Sequence, residues 1–195
     1  MFKPPNLSNS PPASVEEALE RARLLLAQAG IEGAEVTVTQ PPMADEPLKG
    51  ACLEAFLPVA SLEAAVRKVA EAQAAAQGVK ISRVQIRFQN GSEETLALQI
   101  NAEVDVRVFG ATMTLQIRGV ADATGGESVQ FRDLQLDAGS GLFSGMATAL
   151  IRPYLDSVGA QRLDLTQLAG VPVRLLRMEC PADGPERLCL GGQFV

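Results

Sequence analysis

The stretch LALQINAEVDVRV, residues 96–108, alternates apolar and polar side chains along its whole length. Leu96, Leu98, Ile100, Ala102, Val104, Val106 and Val108 fall on one side; Gln99, Asn101, Glu103, Asp105 and Arg107 fall on the other. Successive side chains of a strand point to opposite faces, so this spacing predicts a strand with one dry and one wet face. It is longer than the usual five or six or so residues. The next run repeats the pattern, with Met113, Leu115 and Ile117 against Thr112, Thr114, Gln116 and Arg118. Same-face pairing then requires Val106 opposite Met113 and Val104 opposite Leu115, centred on Phe109-Gly110.

Upstream, Val84, Ile86 and Phe88 precede Asn90-Gly91. A two-residue turn there would place Phe88 opposite Glu93, on the wrong face, so a longer loop is expected, with Phe88 facing Leu96. The phase of alternation slips between Ile81 and Val84, and again between Phe131 and Leu134 around Asp133. Such slips predict bulges that bend and twist a long sheet.

Helical periodicity frames this β-rich middle. Ser14-Val-Glu-Glu17 has capping-box spacing, and Val15, Leu19, Ala22, Leu26 and Ala29 form a stripe ending at Gly30. Glu35–Gln40 and Ala51–Leu57 read as short strands. Ser61 is the expected N-cap of a helix over 62–77, with Leu62, Ala65, Val66, Val69, Ala72 and Ala76 inward and Gly78 as its stop. A third helix, 141–158, is apolar over most of its circumference and carries Pro153, so it is expected to be buried on more than one side or to face a ligand or partner. Strands are expected at Arg162–Leu165, Val173–Cys180 and Arg187–Phe194. The chain divides into a flexible arm (1–13), an N-terminal helix with short strands (14–56) and a main α+β unit (57–195).

Composition narrows the chemistry. The 195 residues are 47% hydrophobic and 21% charged, which are globular values. There is no histidine, which removes the usual Ser-His-Asp and Cys-His arrangements and histidine-ligated zinc. The formal charge is -6 with no basic run, so nucleic acid is not an expected partner. Cys52, Cys180 and Cys189 include no Cys-x-x-Cys; Cys180 and Cys189 could meet across a hairpin, but reduced thiols are the favoured reading. No secretory signal or apolar span of about 18 residues is visible, so the expected compartment is the cytoplasm, with peripheral membrane contact compatible.

Of the carboxylate pairs, Glu16/Glu17 suit a helix start, Glu93/Glu94 a solvated loop, and Asp133/Asp137 a turn; only the last could converge on one site. Asn6-Leu-Ser8 and Asn90-Gly-Ser92 match glycosylation sequons, the second already explained by its turn propensity. Neither a phosphate-binding loop nor a dinucleotide fingerprint is present. Catalysis and resident cofactors or metals are not expected.

Four features carry a resemblance: the opening helix from Ser61-Leu-Glu-Ala-Ala-Val66 onward, Val79-Lys-Ile-Ser-Arg-Val84 and Leu98-Gln-Ile-Asn-Ala-Glu-Val104 as long strands, Leu150-Ile-Arg-Pro153 in an apolar helix, and the closing Leu188-Cys-Leu-Gly-Gly-Gln-Phe194. From about residue 57 to 195 the chain resembles the bacterial LmeA-like phospholipid-binding family, related to tubular lipid-binding proteins. The resemblance implies long curved antiparallel strands wrapped on one or two helices, a half-barrel enclosing an acyl-chain groove, and no catalytic residues.

The dry strand faces and the Pro-bearing helix point to the same groove. Its expected lining is Leu98, Ile100, Val104, Val106, Met113, Leu115, Phe143, Met146, Leu150 and Tyr154. The expected ligand is a lipid or another apolar molecule. The competing reading is a structural or protein-interaction module whose core is fully packed.

Overall fold

The computed structural model describes residues 12–43, 47–75, 79–91, 96–108, 110–140, 144–166 and 171–195. Most of the N-terminal arm, with its Asn6 sequon, lies outside these residues. So do Ala76, Gly78, Glu93, Glu94, Phe109 and Phe143. The chain is α+β, and among the described residues it has three helices, two antiparallel sheets and no closed barrel. In chain order the elements are α1 (Val15–Gln28), β1 (Glu35–Gln40), β2 (Cys52–Pro58), α2 (Val59–Ala75), β3 (Lys80–Asn90) and β4 (Ala97–Val108). Then follow β5 (Ala111–Asp122), β6 (Ser128–Asp137), α3 (Ser144–Gly159), β7 (Arg162–Asp164), β8 (Val173–Glu179) and β9 (Arg187–Phe194).

The alternating middle of the chain forms a five-stranded sheet in the order β3-β4-β5-β6-β7. Val106 pairs with Met113 and Val104 with Leu115, as the same-face argument requires, and Gly110 takes the positive φ of the turn at 85°. Between β3 and β4, Asn90-Gly91 does not make a two-residue turn. Phe88 pairs with Ile100 rather than Leu96, and Asn90 with Leu98. The shift of four residues keeps every side chain on its expected face, so hydrophobic patterning alone could not separate the two registers.

Both expected bulges are present. The first falls between Ile81 and Arg83. In the second, β6 spends two residues, Asp133 and Leu134, opposite Gly119, and Asp133 adopts φ 55°. Gly119 makes the bulge possible: a Cβ there would sit 2.6 Å from Leu134 Cδ2 and 3.2 Å from the Arg132 carbonyl oxygen.

The four-stranded sheet has the order β1-β2-β9-β8. It joins residues near the start of the chain to its last strand: Glu54 pairs with Gly191 and Leu57 with Leu188. Further bulges bend it at Val38/Gln40 and at Leu175/Arg177. The expected strands are thus divided between two sheets. A shared core of Leu57, Leu98, Ala121, Ala123, Leu175, Met178 and Leu188 binds the sheets together. Asn90 reinforces the junction, its Nδ2 donating to the Cys180 carbonyl at 2.9 Å and its Oδ1 accepting from the Cys180 N–H at 2.7 Å.

The helices cover the apolar faces. Ser14 Oγ accepts from the Glu17 N–H, and Glu17 Oε2 accepts from the Ala13 N–H one residue before the cap. At the other end Gly30 (φ 78°) donates to Ala27 and Ile31 donates to Leu26, a Schellman closure. The second helix departs from expectation. It starts at Val59, whose N–H donates to the Glu186 carbonyl, and Ser61 is not its cap but donates to the Glu32 carbonyl at 2.6 Å. Leu62 packs inward as expected and Ala70 and Ala74 face the core, while Val66, beside them, and Val69 are 46% and 52% exposed. Ala72 is exposed too. Glu63 Oε1 accepts from the Ile86 N–H, which occupies an edge group of β3. The third helix meets β6, and its core contributions are Ala147 and Ile151. Met146 and Val158 are left exposed, so α3 is not buried on several sides among the described residues.

Candidate functional site

Period-two alternation in the four-stranded sheet sends Val36 of β1, Leu53 and Ala55 of β2, Val173 and Leu175 of β8, and Leu190, Gly192 and Phe194 of β9 to one face. Helix α1 lies over that face with Ala18, Ala22, Leu25, Leu26 and Ala29 toward it, a stripe at helical spacing. The two surfaces do not close. They leave a cavity of about 370 Å³, completed by Leu165 and Val171.

Its origin is compositional. Ala18, Ala22, Ala29, Ala55 and Gly192 are five of its fifteen lining residues, so opposing surfaces meet with too little side-chain volume to interdigitate. The helix is held at both ends of the gap: Val15 and Ala18 pack in a cluster with Ala51, Val171 and Phe194, while Leu26 and Ile31 join the core between the sheets. Arg23 ties the helix to the sheet edge by donating to the Val36 carbonyl at 3.1 Å.

Every lining side chain is apolar. The nearby charges are directed elsewhere by the same alternation. Glu54 shares the opposite sheet face with Arg177, which donates to it at 2.9 Å and also binds Glu179. The Glu179 hydrogen bond holds the Arg177 guanidinium above its ordinary pKa, and Arg177 in turn holds the Glu179 carboxyl below its own. Cys189, fully buried beside this group, has its thiol pushed up to about 11, first by desolvation and then by its hydrogen bond to Glu54. Desolvation also raises Cys180. Cys189 pairs in register with Glu179 rather than Cys180, and all three cysteines are free. A raised pKa keeps a thiol protonated, the opposite of what a nucleophile needs.

A second, smaller apolar cavity of about 160 Å³ lies between the five-stranded sheet and helices α2 and α3. Of the ten residues expected to line a groove, Val104, Leu115 and Tyr154 are found here. Val106 and Met113 pack in the adjoining core, Val106 without exposure. Leu98 and Ile100 belong to the core between the sheets. Met146 is 39% exposed on α3. Phe143 and the Leu150 side chain lie outside the described residues. None of the other eight lines the larger cavity. Its signals in the sequence were the alanines of α1, Ala55 and Gly192, and all depend on β2 pairing with β9.

Among the described residues no group of three or more Cys, Asp or Glu side chains could hold a metal ion. Asp137 accepts from the Gly139 N–H at 2.8 Å in a turn, and Asp133 sits in the bulge. Within the same residues no helix is long and apolar enough to cross a membrane. Comparison of the chain with protein-family models, curated proteins and solved structures finds no match.

Proposed function

We propose that this chain binds and carries an apolar ligand, a lipid acyl chain, in the cavity between α1 and the four-stranded sheet. The observation that carries the reading is a space of about 370 Å³ lined only by apolar residues. Ligand sites typically run from about 300 to 1,000 Å³, so this one suits a single chain rather than a whole phospholipid. Since no lining side chain can hydrogen-bond, recognition rests on burial of methylene groups, and a polar headgroup remains outside.

The test uses the full chain purified without detergent. Native mass spectrometry before and after incubation with oleate reads occupancy directly. The expected result is a one-to-one acyl adduct. Ala22→Phe combined with Ala55→Phe fills the cavity, and oleate affinity should fall at least about tenfold, the loss of roughly two methylene burials. A clean unliganded mass for the wild-type chain after incubation sinks the proposal, as does undiminished binding in the folded double variant.

A further inference from the structure

We propose that Asn90 is a site of spontaneous deamidation which the junction between the two sheets keeps closed, so that its conversion records an opening of that junction and then prevents its repair. Of the four asparagines, Asn6, Asn9, Asn90 and Asn101, only Asn90 precedes a glycine. A following glycine leaves the backbone nitrogen sterically open and the chain free to bend, which makes this pair the reactive one. In the reaction the Gly91 nitrogen gives its proton to solvent and attacks Asn90 Cγ. The N–Cγ bond forms, the Cγ–Nδ2 bond breaks, and ammonia leaves. Water then opens the five-membered succinimide at either carbonyl, giving aspartate or isoaspartate.

The fold engages each group of that step. The nucleophile is occupied, since the Gly91 N–H donates to the Ala97 carbonyl at 3.1 Å. The leaving group is occupied too: Asn90 Nδ2 donates to the Cys180 carbonyl at 2.9 Å, while Oδ1 accepts from the Cys180 N–H at 2.7 Å. Ring closure requires Asn90 to leave both its extended backbone and a staggered χ1. As the last residue of β3, opposite Leu98, it can do neither while these bonds stand. Asn90 is exposed, so water has access and geometry is what holds the reaction back. Gly91 is fixed by packing, without a positive φ: a Cβ there would sit 2.7 Å from the Ala97 carbonyl oxygen. The same close approach therefore demands the reactive pair and shields it.

The consequence follows from what the amide joins. Strand β3 is an edge of the five-stranded sheet and β8 an edge of the four-stranded one, and Cys180 lies just past the end of β8. Cys180 is buried, so its backbone groups depend on Asn90 rather than on water. In aspartate a carboxylate oxygen replaces the Nδ2 donor and meets the Cys180 carbonyl acceptor to acceptor. Isoaspartate also inserts a methylene into the β3 backbone. Neither product can rebuild the clamp. Nothing in this chemistry depends on what the cavity under α1 holds.

The test incubates the full chain at mildly alkaline pH, folded in buffer and unfolded in urea. The tryptic peptide over residues 88–107 carries both Asn90 and Asn101, and fragmentation assigns the converted residue. In urea Asn90 should convert well ahead of Asn101. In the folded chain it should convert at least about a hundredfold more slowly, the scale on which local opening limits exposure. Met178→Ala thins the core between the sheets without touching the amide, and should speed conversion in buffer. Asn90→Asp, the product, should accelerate amide exchange at Cys180 and along β8; Asn90→Ala, which lacks both amide groups, keeps the comparison if the charged form does not fold. Equal rates in buffer and urea overturn the proposal. So does a Met178→Ala chain of lowered Tm that converts no faster, or exchange at Cys180 in the position-90 variants that matches the wild type.

Discussion

Asn90 shows how much one side chain can change a reading. As part of Asn-Gly it signals a turn, but here its amide copies a strand partner and fastens β3 to the backbone at Cys180, ninety positions away. Cys189 is likewise defined by its surroundings. Its thiol pKa is raised from 9.0 to about 11 by burial and by the Glu54 carboxylate. A group with a raised folded-state pKa contributes its full stability below the unfolded value and loses it as pH climbs through the folded one. Stability should therefore decline between pH 9 and 11 by roughly 2–3 kcal/mol from this residue. Urea unfolding across that range reads the slope, and Cys189→Ala should flatten it. An unchanged slope would show that the thiol ionises without cost.

At the scale of elements, α1 is the piece on which the cavity depends. Its sequence specifies it well: the Ser14 cap, the alanine-rich apolar stripe and Gly30 agree on the same boundaries, and the helix begins and ends there. Ser14→Ala removes the hydroxyl that accepts from the Glu17 N–H and should cost about 1 kcal/mol. Because α1 forms one wall of the cavity, faster amide exchange in its first turns should accompany weaker oleate retention. Faster exchange with unaltered retention would mean that the wall is not needed to hold the ligand. The second helix was less legible. Ser61 is a good cap residue, but β2 runs straight into the helix at Val59, and Val66 and Val69 are left half exposed. Packing against β3 outweighed the local capping preference, which is weak by comparison with burial of a helix face.

For the whole molecule, an occupied cavity should appear as added stability. At a ligand concentration about 100 times Kd, binding contributes about 2.7 kcal/mol, which in a chain of this size raises Tm by about 5–10 °C. Oleate should produce such a shift in the wild-type chain and not in the Ala22→Phe, Ala55→Phe variant, and scanning calorimetry distinguishes the two. Filling the space should also raise the Tm of the unliganded variant if the rings fit without strain, since an unfilled apolar cavity forfeits contacts on every wall.

The sequence by itself determined the local elements: the alternation of β4 and β5 and their register, the phase slips that become bulges at Ser82 and Asp133, and the ends of α1. These follow from side-chain period, turn chemistry and capping, which act within a few residues. Only the tertiary structure decided that the strands form two sheets, that Leu98 and Val106 are fully packed core, and that the larger cavity lies under α1. The reason is physical. A cavity is a shortage of volume between surfaces that meet, and here the meeting of Ala22 with Ala55 and Gly192 requires β2 to pair with β9 across more than a hundred intervening residues. No periodicity records such a pairing; the burial it permits does.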